Sequence, residues 1–113
     1  IQNQGIAKTR LSVQKLNHIM VAELIEHGLN AVGISPCFGI PGLEAHANLQ
    51  QQQKEWLQST VRATVKAGLV PVLHGDACLY GEHGAGILSG DTLMEILGVQ
   101  PWIDRAVFIT DVD

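Results

Sequence analysis

Apolar residues recur through residues 8–27, KTRLSVQKLNHIMVAELIEH, at Leu11, Val13, Leu16, Ile19, Met20, Leu24 and Ile25. That is close to the period of about 3.6 residues that marks one face of a helix. Gly28 follows, the residue type that most readily adopts the left-handed conformation in which helices end. The spacing predicts an amphipathic helix from Lys8 to His27. NAVGIS then reads as a short apolar strand, and PCFGIPG, punctuated by Pro36, Gly39, Pro41 and Gly42, as a loop. A second periodic segment, from about Asn48 to Ala67, puts Leu49, Trp56, Leu57, Val61 and Val65 on one face and stops at Gly68. LVPVLHG is a continuous apolar run, as expected of a strand covered on both faces, although Pro71 removes a ladder donor. After a glycine-dense insertion comes a third helix from about Asp91 to Leu97, and RAVFITDV reads as a third strand.

The order helix, strand, helix, strand, insertion, helix, strand predicts an α/β fold, three layers αβα with a mostly parallel sheet. In such sheets ligands bind beyond the carboxyl ends of the strands. The strand ends ISPC, HGD and TDVD would share one edge, faced by the helix start LSGD. This predicts Asp76, Asp91, Asp111 and Asp113 near a common crevice.

Composition narrows the picture. A chain of 113 residues, 46% hydrophobic and 16% charged, suits one globular domain. A net charge of −4 and few aromatic side chains supply neither a basic stripe nor a stacking platform, so no nucleic acid and no anionic membrane is expected as partner. No apolar run approaches the ~18 residues that span a bilayer. Cys37 and Cys78 stand far apart and in no metal spacing, which points to buried free thiols and a reducing cytoplasm. QQQQ at 50–53 reads as a solvated helix start.

Candidate chemistry centres on SGD at 89–91. A helix N-terminus carries about half a positive charge and unpaired N–H groups, so Gly90 and the amides after it suit a phosphate oxygen. Equally, Ser89 or Asp91 caps the helix, with Thr92 and Glu95 at capping-box spacing. The two readings are compatible. Strand-end carboxylates orient lysines or magnesium around phosphates in some sites, and cap turns in others. His74 and His83 flank Asp76 and Glu82 but match no zinc spacing, and His18 and His27 read as surface groups of the first helix. GxxxxGK[ST], GxGxxG and GxSxG are all absent, which leaves nucleophilic catalysis without a candidate.

VQKLNHIMVAELIEHGLNAVGISP, AGLVPVLHGD, GILSGDTLMEILG and RAVFITDVD resemble, in order and spacing, the middle of isopentenyl phosphate kinases of the amino acid kinase superfamily. The resemblance covers nearly the whole chain. It implies transfer of the γ-phosphoryl of ATP, with Mg2+, to the prenyl phosphate isopentenyl phosphate, giving the diphosphate. It further implies that Gly90 offers its backbone to the phosphates, that Ser89 fixes the turn, and that Asp91 orients the catalytic lysines. Thr110, Asp111 and Val112 should lie against ATP. Val13, Leu16 and Met20 match positions lining the isoprenoid pocket, with Ile87 a further wall; plain core packing is the competing role for all four.

The resemblance also implies a homodimer. Residues 1–113 would be a single partial amino acid kinase domain, incomplete at both ends. The family's first strand with its lysine, its glycine-rich phosphate loop and its phosphate-binding histidine would precede Ile1, and the adenine-binding part would follow Asp113. Without those lysines the piece alone is expected to be inactive. Tyr80 stands where the family often has an acidic residue. Two alternatives stay open: an amino acid kinase acting on a carboxylate or a nucleoside monophosphate, and a non-catalytic ligand-binding module of the same fold. An apolar pocket built from Val13, Leu16 and Met20 favours the prenyl phosphate.

Overall fold

The computed structural model describes residues 3–36, 46–79 and 85–111, with side chains described for 4–36, 51–77 and 88–111. Helix α1 spans Asn3–Glu26 and so begins five residues before the expected Lys8. Its end is a Schellman motif: Gly28 has φ +90, its N–H donates to the Ile25 carbonyl, and the Leu29 N–H reaches back to that of Leu24. Helix α2, His46–Lys66, ends identically at Gly68, φ +85, with donations from Gly68 to Val65 and from Leu69 to Thr64. Both glycines terminate helices because the left-handed conformation costs them nothing sterically.

Strands β1 (Ala31–Gly33) and β2 (Val70–Val72) pair in parallel, with Ala31 opposite Val70 and Gly33 opposite Val72. Helix α2 is the crossover that such a pair requires. The Val70 N–H and the Val72 carbonyl both bond toward β1, so the Pro71 nitrogen between them points away from the ladder. That alternation is what admits a proline here.

The glycine-dense insertion is partly a sheet of its own. Strand β3 (Asp76–Leu79) and strand β4 (Ala85–Leu88) form an antiparallel pair. Helix α3 follows over Gly90–Gly98. Of the expected third strand, residues 105–112, the described part, 105–111, forms none. A strand needs a neighbouring edge, and no described residue supplies one. Val107, Phe108 and Ile109 are exposed, Ile109 to 97%.

The core gathers Leu57 and Val61 of α2, Leu88, and Leu93 and Ile96 of α3, with Leu73, Leu97 and Trp102 partly buried against it. Two sequence expectations change here. Trp56 and Val65 are exposed, whereas Gln53, read as part of a solvated tract, is buried; the inward face of α2 is rotated toward residues 53, 57, 60, 61 and 64. Leu49 lies outside the described side chains. Helix α1 packs on β1, β2 and β3 through Val13, Asn17, Val21 and Leu24, while Leu11, Leu16, Ile19, Met20 and Ile25 are exposed.

Candidate functional site

The face of α1 beside its packed stripe forms one wall of a cavity of about 490 Å³. Val13, Leu16 and Met20 line it at helical spacing, together with Thr9 and Asn17. Their spacing of three and four residues puts them in one row along the helix. The opposite wall comes from Val72 and Leu73 at the end of β2, the His74–Asp76 turn, and Leu88 and Ser89 at the end of β4. The cavity thus has a long apolar side and a short polar end. Leu16 and Met20, exposed on the surface of the helix, look into this open space rather than into the core.

The polar end is tightly built. An added Cβ on Gly75 would sit 3.0 Å from the Leu88 carbonyl oxygen and 3.3 Å from the Gly90 nitrogen. Only glycine lets the HGD turn lie against the SGD helix start. His74 Nδ1 donates to the Gly75 carbonyl at 2.9 Å; the carbonyl only accepts, so Nδ1 carries the proton and Nε2 is left for other partners. Ser89 is the N-cap of α3, its hydroxyl oxygen accepting from the Thr92 N–H at 3.2 Å and lying 3.0 Å from Thr92 Oγ1. Capping is therefore real, and Ser89 faces the cavity as well. Gly90 is exposed, and an added Cβ there would meet nothing within 4 Å.

Asp76 departs from the expected row of crevice carboxylates. It is only 1% exposed. Its Oδ2 is 2.5 Å from Arg10 Nη1, and its Oδ1 accepts the Ala77 N–H at 2.8 Å. A carboxylate so engaged is a structural anion at the cavity's end. Asp91 is exposed in the first turn of α3 and is not among the cavity's lining residues. Thr110 and Asp111 are exposed and likewise stand apart from that lining. Val112, Asp113, Cys37, Tyr80 and His83 lie outside the described residues, and the side chains of Ile87 and Cys78 outside the described side chains.

A smaller cavity of about 260 Å³ shares Asn17 and His74 with the first and is completed by Gln14, His18, Val21 and the end of β1, Gly33–Ser35. Asn17 is the post between the two: its Nδ2 donates to the Val72 carbonyl at 3.0 Å. Thr9, Asn17 and His74 escaped the reading of the sequence as site residues. For Asn17 a signal existed, a polar residue exactly one turn beyond Val13 in an apolar row. Among the described residues no three His, Cys, Asp or Glu side chains gather to hold a metal ion, and no helix is long and apolar enough to cross a membrane.

Comparison with known proteins agrees with this architecture. The profile of the amino acid kinase family matches residues 2–113. An isopentenyl phosphate kinase of Arabidopsis thaliana is 36% identical over 112 residues, covering 99% of this chain and 32% of that protein. The isopentenyl phosphate kinase of Methanothermobacter thermautotrophicus is 30% identical over 114 residues, 96% of this chain and 40% of the relative. That of Methanocaldococcus jannaschii is 27% identical over 111 residues, 97% and 39%. The chain thus spans 32–40% of the length of these relatives. No solved structure matches it. With an α/β architecture and a profile match over almost every residue, the chain belongs to the amino acid kinase family.

Proposed function

We propose that this chain is the acceptor-binding centre of a kinase that transfers the γ-phosphoryl of ATP to isopentenyl phosphate. One observation carries the reading: a single cavity joins an apolar row, Val13, Leu16 and Met20, to a polar end formed by the His74–Asp76 turn and the Ser89 cap. A prenyl phosphate has that same division, a branched hydrocarbon and a dianionic head. The three relatives named above are isopentenyl phosphate kinases by name, which supports the same acceptor.

In this reading the hydrocarbon lies along α1, with Ile87 a further wall. Burial of its methylenes contributes about 0.8 kcal/mol each. The phosphate sits at the start of α3, where Gly90 leaves room for a ligand atom, the first-turn amides point outward, and the helix dipole favours negative charge. Ser89 Oγ accepts from the Thr92 N–H and lies 3.0 Å from Thr92 Oγ1, with either hydroxyl able to donate. Asp91, exposed two residues further on, orients lysines that the rest of the protein supplies. Thr110, Asp111 and Val112 lie on the nucleotide side. Phosphoryl transfer asks for positioning and charge neutralisation and for no covalent chemistry on the protein. Magnesium is commonly held by substrate phosphates with one or two carboxylates. Asp76 is taken up by Arg10, whereas Asp91 is exposed and has room to take part.

The test is ADP release by the full-length parent protein with isopentenyl phosphate, beside the Asp91→Asn variant. Turnover that falls roughly 10²-fold or more in the variant is expected, the scale on which losing one transition-state electrostatic partner acts. Turnover only with a carboxylate or a nucleoside monophosphate would place the protein elsewhere in its family. Unchanged turnover in the variant would remove Asp91 from the mechanism.

A further inference from the structure

A buried carboxylate at the polar end of a cavity for an anion is electrostatically out of place. Asp76 lines the cavity, and its side chain has 0% relative exposure. Uncompensated, it would repel a phosphate most strongly where water is excluded and the effective dielectric is low. The structure answers this from α1. Arg10 Nη1 lies 2.5 Å from Asp76 Oδ2, and the Arg10 side chain is itself mostly buried at 17% exposure.

Arg10 precedes Val13 by one turn, so the helix that carries the apolar row also delivers the cation to its polar end. The Ala77 N–H holds the other carboxylate oxygen at 2.8 Å. The carboxylate thereby ties α1 to the first residues of β3, across 66 residues of chain. The other titratable group lining this cavity is His74, on the same turn; Ser89 and Leu88, from the opposite side, carry no charge.

We infer that the Arg10–Asp76 pair is a positioning device that sets the charge of the acceptor site. Asp76 fixes the HGD turn against α1, and Arg10 cancels the negative charge this requires, so that the cavity accepts an anionic head group. The inference rests on the reading above that the cavity takes a phosphorylated acceptor. Arg10 acts through Asp76 and the field at the site. Its loss therefore weakens binding of the anion while leaving the transfer step itself nearly untouched.

The experiment compares Arg10→Met, Asp76→Asn, the double variant and Arg10→Lys in the full-length parent protein. It measures KM and kcat for isopentenyl phosphate, always relative to the unsubstituted protein, with the thermal midpoint of each variant recorded. Arg10→Met is expected to raise KM roughly 10- to 100-fold, the scale of one uncancelled charge at partly buried range, with kcat within about threefold. The double variant should return KM to within about threefold of the original, and Arg10→Lys should restore most of it.

A pair that merely tethers α1 would behave otherwise. The double variant would then bind no better than Arg10→Met, and the loss would follow the thermal midpoint; that result overturns the inference. If the parent protein turns over a different anionic acceptor, the proposed function falls while the same series, run on that acceptor, still decides the role of the pair. Absence of turnover with any acceptor overturns both.

Discussion

Gly33 offers the sharpest test of how the site is held. It closes β1 opposite Val72, and an added Cβ would lie 2.5 Å from Asn17 Oδ1, 3.6 Å from Asn17 Cγ and 3.8 Å from a Val21 methyl. The first of these distances is far inside van der Waals contact, so in Gly33→Ala the Asn17 amide must turn aside. Turning it breaks the 3.0 Å bond to the Val72 carbonyl. Overpacking of this kind costs about 1–3 kcal/mol, and the lost hydrogen bond about 0.5–1.5 kcal/mol. The substitution should therefore destabilise by about 2–4 kcal/mol. Its backbone is not in the left-handed region, so no conformational penalty adds to this.

Urea unfolding of the full-length protein, read as a change of midpoint at constant slope, measures the effect. A double-mutant cycle isolates the cause. In an Asn17→Ala background the obstructing amide is gone, and Gly33→Ala should then cost under about 0.5 kcal/mol, a coupling of roughly 2 kcal/mol. Equal costs in both backgrounds would show that Asn17 is not what Gly33 accommodates, and a cost below about 0.5 kcal/mol in the original protein would refute the close approach itself.

Other substitutions probe neighbouring links. Ser89→Ala removes the N-cap of α3 and should cost about 1 kcal/mol in the same assay, with a rise in KM for the acceptor; Ser89→Asp should keep the stability and raise KM further through repulsion of the phosphate. Leu57→Ala empties the centre of the core, where Leu57 has 0% exposure, and should cost about 2–5 kcal/mol. Its kcat/KM at a temperature well below the transition should stay unchanged, because no described residue of α2 lines the larger cavity.

Where sequence and structure part, the cause is distance along the chain. The ends of α1 and α2 were legible because a glycine in the left-handed region is a local device, and Ser89 because a cap is read within three residues. The inward face of α1 was not legible: it includes Arg10 and Asn17, polar residues whose partners, Asp76 and the Val72 carbonyl, lie 66 and 55 residues away. Counting apolar positions finds Leu11, Ile19 and Ile25, which the fold leaves exposed. Gln53 hides for a similar reason. The β3–β4 hairpin was masked by glycines that look like a loop, and residues 105–111 show the converse, an apolar run that looks like a strand while no described edge pairs with it. Of the site, the cap at Ser89 could be read from local spacing, while a pocket role for Val13, Leu16 and Met20 came only from the resemblance to a known family. The roles of His74 and Asp76 could not, since they depend on which helix lies over the HGD turn.

The separations involved also order the events of folding. α1 and the β3–β4 hairpin are local units of the kind that form in microseconds. The β1–β2 pair and the Arg10–Asp76 tie span 39 residues, from Ala31 to Val70, and 66 residues, and such closures are slow because loop entropy is lost before the contact rewards it. The larger cavity exists only once α1 has docked across β1, β2 and β3. A chain with every helix formed but α1 undocked lacks this cavity altogether. Occupancy of the cavity therefore reports completion of the fold, and a ligand at a hundred times its Kd would stabilise the docked state by about 2.7 kcal/mol through mass action alone.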